Sequence, residues 1–188
     1  SNSASSDAIT LASDGTCTAN ITNRSNRNLI INGAMNVAQR GTSAVASTGY
    51  KSVDRYALDF GSGTDENPSQ EQGTVAAGTT PYTEGFRKTV KITNGNQTTS
   101  PSSNTDLYFQ IQHILESQDI ANSGWNYLST SSNITLSFWV KSSVAQDFYF
   151  RLQTLDGTNY NYPMSTGSLS ANTWTKVTKT IPGNSNLQ

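Results

Sequence analysis

Apolar and polar side chains alternate with a period of two along much of this chain, and that pattern restricts the fold more than any other feature. Ile134, Leu136, Phe138 and Val140 fall on one side of one run, and Phe148, Phe150 and Leu152 on one side of the next. Leu107, Phe109, Ile111 and Leu115 repeat the spacing, as do Tyr56, Leu58 and Phe60 behind Val53. Successive side chains of a strand point to opposite faces, so each run predicts a strand with one face on a core. The predicted strands cover 50–60, 85–92, 106–116, 133–141, 146–155 and 173–181. Turn chemistry bounds them, as at Asn94-Gly95, Asp156-Gly157 and Pro182-Gly183. The polar stretch 61–72 reads as a long loop, and only 116–124 hints at a helical turn. Half-buried strands without helices between them predict an all-β fold, an antiparallel β-sandwich and most naturally a jelly roll.

Composition agrees. Ser, Thr and Asn make up more than a third of the 188 residues, while only 13% are charged. Disorder couples weak hydrophobicity to high charge, which this chain lacks. The net charge of −1 provides no field for nucleic acid, and Arg24 and Arg27 alone do not make a basic patch. No apolar run is long enough for a membrane span, and nothing at the start reads as a signal peptide. The single Cys17 allows no intrachain disulfide. Four N-x-S/T sequons, at Asn20, Asn23, Asn96 and Asn133, are about what this composition produces by chance.

Residues 1–27 read as a flexible lead-in followed by a hairpin, with 28–188 as the sandwich. In the hairpin, a three-residue loop with Gly15 in the left-handed conformation would pair Leu11 with Cys17 and Ile9 with Ala19, placing the apolar side chains on one face. A hairpin this small needs cover. It packs either on its own domain or on copies of itself, and a trimeric stalk is the preferred form. The chain starts without methionine and stops just after a strand-like run, which reads as a piece of a longer polypeptide.

Catalytic signatures are missing. His113 is the single histidine, lies within an alternating run, and reads as a structural residue. No nucleophile elbow, phosphate loop or dinucleotide fingerprint occurs. Loop acids such as Asp65, Glu66 and Glu71 read as solvated, so no enzyme is expected. No cofactor is expected either, and a structural calcium ion stays open without assignable ligands. The face opposite the predicted core is more distinctive: Tyr108, Gln110 and Gln112, then Trp139 with Lys141, then Tyr149, Arg151 and Gln153. Aromatic rings flanked by amides and an arginine suit the C–H faces and hydroxyls of sugars. The same set also suits a subunit interface. Trp125, Tyr127, Tyr160 and Tyr162, placed in loops, form a second candidate rim.

Four stretches carry a family likeness. They are Asn28-Leu-Ile-Ile-Asn-Gly-Ala-Met with Gln39-Arg-Gly-Thr; Tyr50 with Asp54-Arg-Tyr; Gln110 to Glu116; and Leu136 to Ser142 followed by Asn172-Thr-Trp-Thr-Lys-Val. With these, the chain resembles jelly-roll modules of tail-fibre and related structural proteins of tailed phages, especially those of marine bacteria. The 7–22 lead-in is similar to segments that precede such modules. The likeness runs from about residue 7 to the end, and such modules usually continue with at least one more strand. It implies a galactose-binding-like sandwich, a virion location, and partners among other virion proteins and copies of the chain itself. The expected role is host-surface or glycan attachment. A purely structural virion part, a capsid decoration or fibre-assembly domain, is the alternative, and a polysaccharide-degrading tailspike comes third.

Overall fold

The computed structural model describes residues 9–11, 13–15, 17–19, 28–61, 66–95, 108–155 and 158–187. These form ten strands and two short helices. In order they are β1 (Ile9–Leu11), β2 (Cys17–Ala19), β3 (Tyr56–Phe60), β4 (Ser69–Thr74), α1 (Thr80–Thr83), β5 (Lys88–Thr93), β6 (Phe109–His113), α2 (Ser117–Ser123), β7 (Asn133–Val140), β8 (Asp147–Gln153), β9 (Asn161–Ser168) and β10 (Thr175–Pro182). The fold is all-β and every ladder is antiparallel.

The lead-in hairpin has the expected register. Ile9 pairs with Ala19 and Leu11 with Cys17, and Gly15 has φ +85°. After it, the pairing is nested twice. The β3–β6 ladder encloses β4–β5 in sequence, and β7–β10 then encloses β8–β9. In the first set, Val45 bridges Gln70 and Gly49 bridges Leu58, so the 45–49 segment ties β3 to β4. In the second, Phe138 of β7 meets Phe150 of β8 edge-on, with ring centroids 5.3 Å apart.

The core is small. Val53, Tyr56, Leu58 and Val75 are buried in the first set, and Leu169, Val177, Ile181 and Leu187 in the second. Burial pushes the Tyr56 phenol up to about 12. Gly183 packs so closely that an added Cβ would lie 2.7 Å from the carbonyl oxygens of Asn126 and Tyr127. Its own N–H donates to Ser132 O.

Several expectations need correction. The strand expected over 50–60 begins only at Tyr56. Arg55 has φ +75° and turns the chain, so that Leu58 comes back beside Gly49. The loop expected over 61–72 contains the start of β4, which shows no apolar alternation because its buried anchor is a glutamine. Gln70 is 1% exposed, and its amide donates to Ser47 O and Gly49 O at 3.2 and 2.7 Å. β9 was not foreseen either, since Pro163, Ser165 and Gly167 interrupt its pattern. Phe109 and Ile111 were expected in the core but are 41% and 44% exposed. They share a face with Leu58 and Phe60 across the ladder, yet among the described residues β6 pairs only with β3. Alternation identifies the apolar face of a strand; it does not supply the layer that covers it. Leu107 and the Asp156-Gly157 turn lie outside the described residues.

Candidate functional site

Three elements build a line of polar side chains. Asp59 lies opposite Gln110 in the β3–β6 ladder, and Tyr108 lies just before β6. The Asp59 carboxylate accepts from the Tyr108 hydroxyl at 3.2 Å and from the Gln110 amide at 3.0 Å. Its negative charge pushes the Tyr108 phenol up, so the hydroxyl stays protonated as the donor. The Arg151 guanidinium on β8 makes a long contact of 3.5 Å with the Gln110 amide oxygen and donates to Gln153 at 3.1 Å. Tyr149, two positions before Arg151 on the same strand face, is 81% exposed. Gln112, two positions beyond Gln110, is also exposed.

A β-bulge sits beside this line. Register slips between Asp147 and Tyr149, where Gly167 on β9 has φ +73° and the Phe148 N–H turns to the Thr166 hydroxyl at 3.0 Å. Bulges re-aim neighbouring side chains and are common next to binding sites. Six of the eight residues expected on this face, namely Tyr108, Gln110, Gln112, Tyr149, Arg151 and Gln153, thus lie on β6 and β8 or, for Tyr108, just before β6. The Gln110–Arg151 contact links the two strands.

Trp139 is engaged elsewhere. Its indole N–H donates to Glu84 at 2.9 Å, and Lys176, its cross-strand neighbour, donates to the same oxygen at 2.9 Å. These bonds hold the Glu84 carboxyl below the usual carboxylate range. Trp139 therefore clamps the turn after α1 onto β7 and β10. The second rim is also structural in its contacts. Trp125 and Tyr127 stack edge-on at 6.2 Å, with the Trp125 indole N–H on Ser132 O. Tyr162, placed in a loop by its sequence, is a half-buried β9 residue opposite Leu152, and Tyr160 is half-buried just before it. Asp59 was missed. Its only trace in sequence is its place as the polar residue between Leu58 and Phe60.

A second feature is a cleft of about 460 Å³ lined by Gln39, Arg40, Tyr50, Asp54, Arg55, Ile114 and Glu116. Three of the four motif stretches meet here. The Asn32 side chain donates to Val37 O and Asp54 O, both at 2.9 Å, and accepts from Val37 N–H at 3.1 Å. Asp54 accepts from Gln39 N–H at 3.2 Å and lies 3.4 Å from Arg40. Arg55 donates to Glu116 at 2.8 Å, and this bond holds the Glu116 carboxyl below its usual range. His113 contacts Ile31 O through Nε2 at 3.0 Å and stacks edge-on against Tyr56, and its buried Nδ1 has no hydrogen-bond partner among the described residues.

No protein-family model, curated protein or solved structure matches the chain. Among the described residues, no group of three or more His, Cys, Asp or Glu is placed to hold a metal ion. No helix among them is long and apolar enough to cross a membrane.

Proposed function

We propose that this chain is a non-catalytic module of a phage virion appendage of the tail-fibre kind, which attaches to host-surface glycan through the Tyr108–Gln110–Tyr149–Arg151 face. The carrying observation is the row of hydrogen-bonded planar side chains beside an 81% exposed tyrosine. Ring and planar polar groups match the two surfaces of a pyranose, its C–H face and its hydroxyls. The row is open rather than enclosed, so a single site would be weak, and repeated copies on a fibre, most simply a homotrimer, would raise affinity through avidity. Two successive nested antiparallel sets, with Phe138 on Phe150 between ladders, support a jelly-roll sandwich.

The test is a glycan array of bacterial surface polysaccharides probed with the wild type and with Arg151→Ala, Tyr149→Ala and Trp139→Ala. The first two variants are expected to lose binding with unchanged far-UV dichroism, while Trp139→Ala retains it. Retention of binding by both Arg151→Ala and Tyr149→Ala would refute the assignment.

The exposure of Phe109, Ile111 and Ile114 favours a second reading, a structural virion component that uses this region for protein contacts. In that case the array stays blank and solution mass reports a stable oligomer in which Ile111→Asp gives monomer.

A further inference from the structure

The cleft between the 39–55 segment and Ile114–Glu116 lies apart from the glycan face proposed above and shares only Ile114 with the second reading. We propose that it is a second, separate binding site, which takes a carboxylated pyranose, a hexuronate unit of an acidic polysaccharide. Its volume of about 460 Å³ falls within the roughly 300–1,000 Å³ of small-molecule sites.

The charges of the cleft balance, and it is the spare donors of one arginine that point to an anionic ligand. The cleft carries two arginines and two carboxylates, and the carboxylates are turned to protein donors. Glu116 accepts from Arg55 through one oxygen and from Gln118 through the other, at 2.8 and 3.1 Å. Asp54, with a side chain only 16% exposed, accepts from the Gln39 backbone. Arg55 is committed to Glu116 and Ile114 O. Arg40 differs: its side chain is 56% exposed, and its one hydrogen bond among the described residues is the long 3.4 Å ion pair with Asp54. A guanidinium has five N–H donors in a planar fork that fits a carboxylate through two parallel hydrogen bonds. Arg40 lines the cleft, and among the described residues only its Nη1 has a hydrogen-bond partner. The exposed Tyr50 ring can lie against a sugar C–H face, and the Gln39 amide can meet hydroxyls.

The backbone gives an independent indication. Two residues other than glycine with positive φ sit at this cleft: Arg55 (+75°), which lines it, and Asn32 (+57°), whose side chain donates to Asp54 O. Asparagine adopts left-handed backbone readily, but for arginine it is unfavourable and persists where surrounding bonds hold it, often at ligand sites. Here the Asn32 clasp on Val37 and Asp54 does the holding.

The experiment titrates trigalacturonate, and separately its methyl ester, into ¹⁵N-labelled protein at low salt. Saturable shifts are expected at the amides of residues 39–42, 50 and 54–55, weakening as salt rises. The ester and the R40Q variant should each bind at least about tenfold more weakly, a loss in the range of one charge-assisted bidentate contact. R151A should bind trigalacturonate like the wild type, which separates this site from the strand face; array binding lost in R151A alone leaves the cleft proposal untouched. An absence of saturable shifts, equal binding of the ester, or undiminished binding by R40Q overturns the proposal. Should R40Q fail to fold, Gln39→Ala and Tyr50→Ala decide, and unchanged affinity in both overturns it.

Discussion

The two nested sets of strands have the same pairing plan but are held by different chemistry. The first, β3 to β6, is held together by side-chain amides and carboxylates on backbone groups. Gln70 is clasped by Ser47 and Gly49, Asn32 holds Val37 and Asp54, and the Gln72 amide donates to Met35 O at 2.7 Å. The second, β7 to β10, rests on apolar cross-strand pairs, Val177 opposite Phe138 and Ile181 opposite Ile134, and on the Phe138–Phe150 contact. They meet through Glu84 on Trp139 and Lys176, and through Gln110 on Arg151. The contrast shows that one pairing plan can be specified either by polar clasps or by alternating apolar faces.

Deleting core volume on each side tests this contrast with the largest effect. Leu58→Ala and Ile181→Ala, at positions 1% and 2% exposed, should each destabilise by about 3 kcal/mol. Denaturant unfolding followed by tryptophan fluorescence and by far-UV dichroism then reports whether the halves unfold together. A single coincident transition in both variants means that Glu84 and Gln110 couple them; two transitions, each sensitive to one substitution, mean that they are independent.

Polar and apolar anchors should also differ in tolerance. Gln70→Leu keeps the volume but removes the amide bond from Ser47 O and the acceptor of Ser52, leaves Gly49 O with only the Leu58 N–H, and should destabilise by about 2 kcal/mol. Ile181→Leu, an equally conservative change in the second set, should stay below about 1.5 kcal/mol. Equal losses in thermal unfolding would erase the distinction.

The smallest effect is electrostatic. Glu116 belongs to the first set and Glu84 joins the two, and both carboxyls sit below their usual range in the folded chain. The unfolded chain therefore binds protons more readily. The stabilisation is present above the unfolded value of about 4.3 and fades as pH falls through the folded ones. Both groups are exposed, so the melting temperature should drop only slightly between pH 5 and pH 3. Glu84→Gln and Glu116→Gln should each remove part of that drop, as should high salt. An identical acid profile in both variants and the wild type counts against either contact.

The second set was the more legible in sequence. A period of two is visible wherever apolar residues mark the buried face, as from Ile134 to Val140, and turn residues then bound the strand. The hairpin register followed from the same logic, because a three-residue loop, unlike a two-residue turn, pairs Ile9 with Ala19 and Leu11 with Cys17. β4 was hidden because its buried residue is Gln70, whose burial depends on carbonyls more than twenty positions earlier. The candidate face was largely readable, since Tyr108, Gln110, Tyr149 and Arg151 occupy the polar phase of clear strands. Trp139 occupies the same phase but is claimed by Glu84, a residue 55 positions away, and no local pattern reveals that. The cleft depends on the backbone reversal at Arg55 and on the Asn32 side chain held to Asp54 O, which side-chain patterning does not encode.

The nested pairing also implies a sequence of events during folding. The inner hairpins β4–β5 and β8–β9 join neighbouring segments and can close quickly, while β3 and β7 must wait for partners synthesised much later. Until those arrive, the apolar edges of β3 and β7 stay open on the growing polypeptide. Misassociation should therefore be greatest when synthesis is fast relative to closure of the outer ladders, and slowing translation should raise the soluble yield.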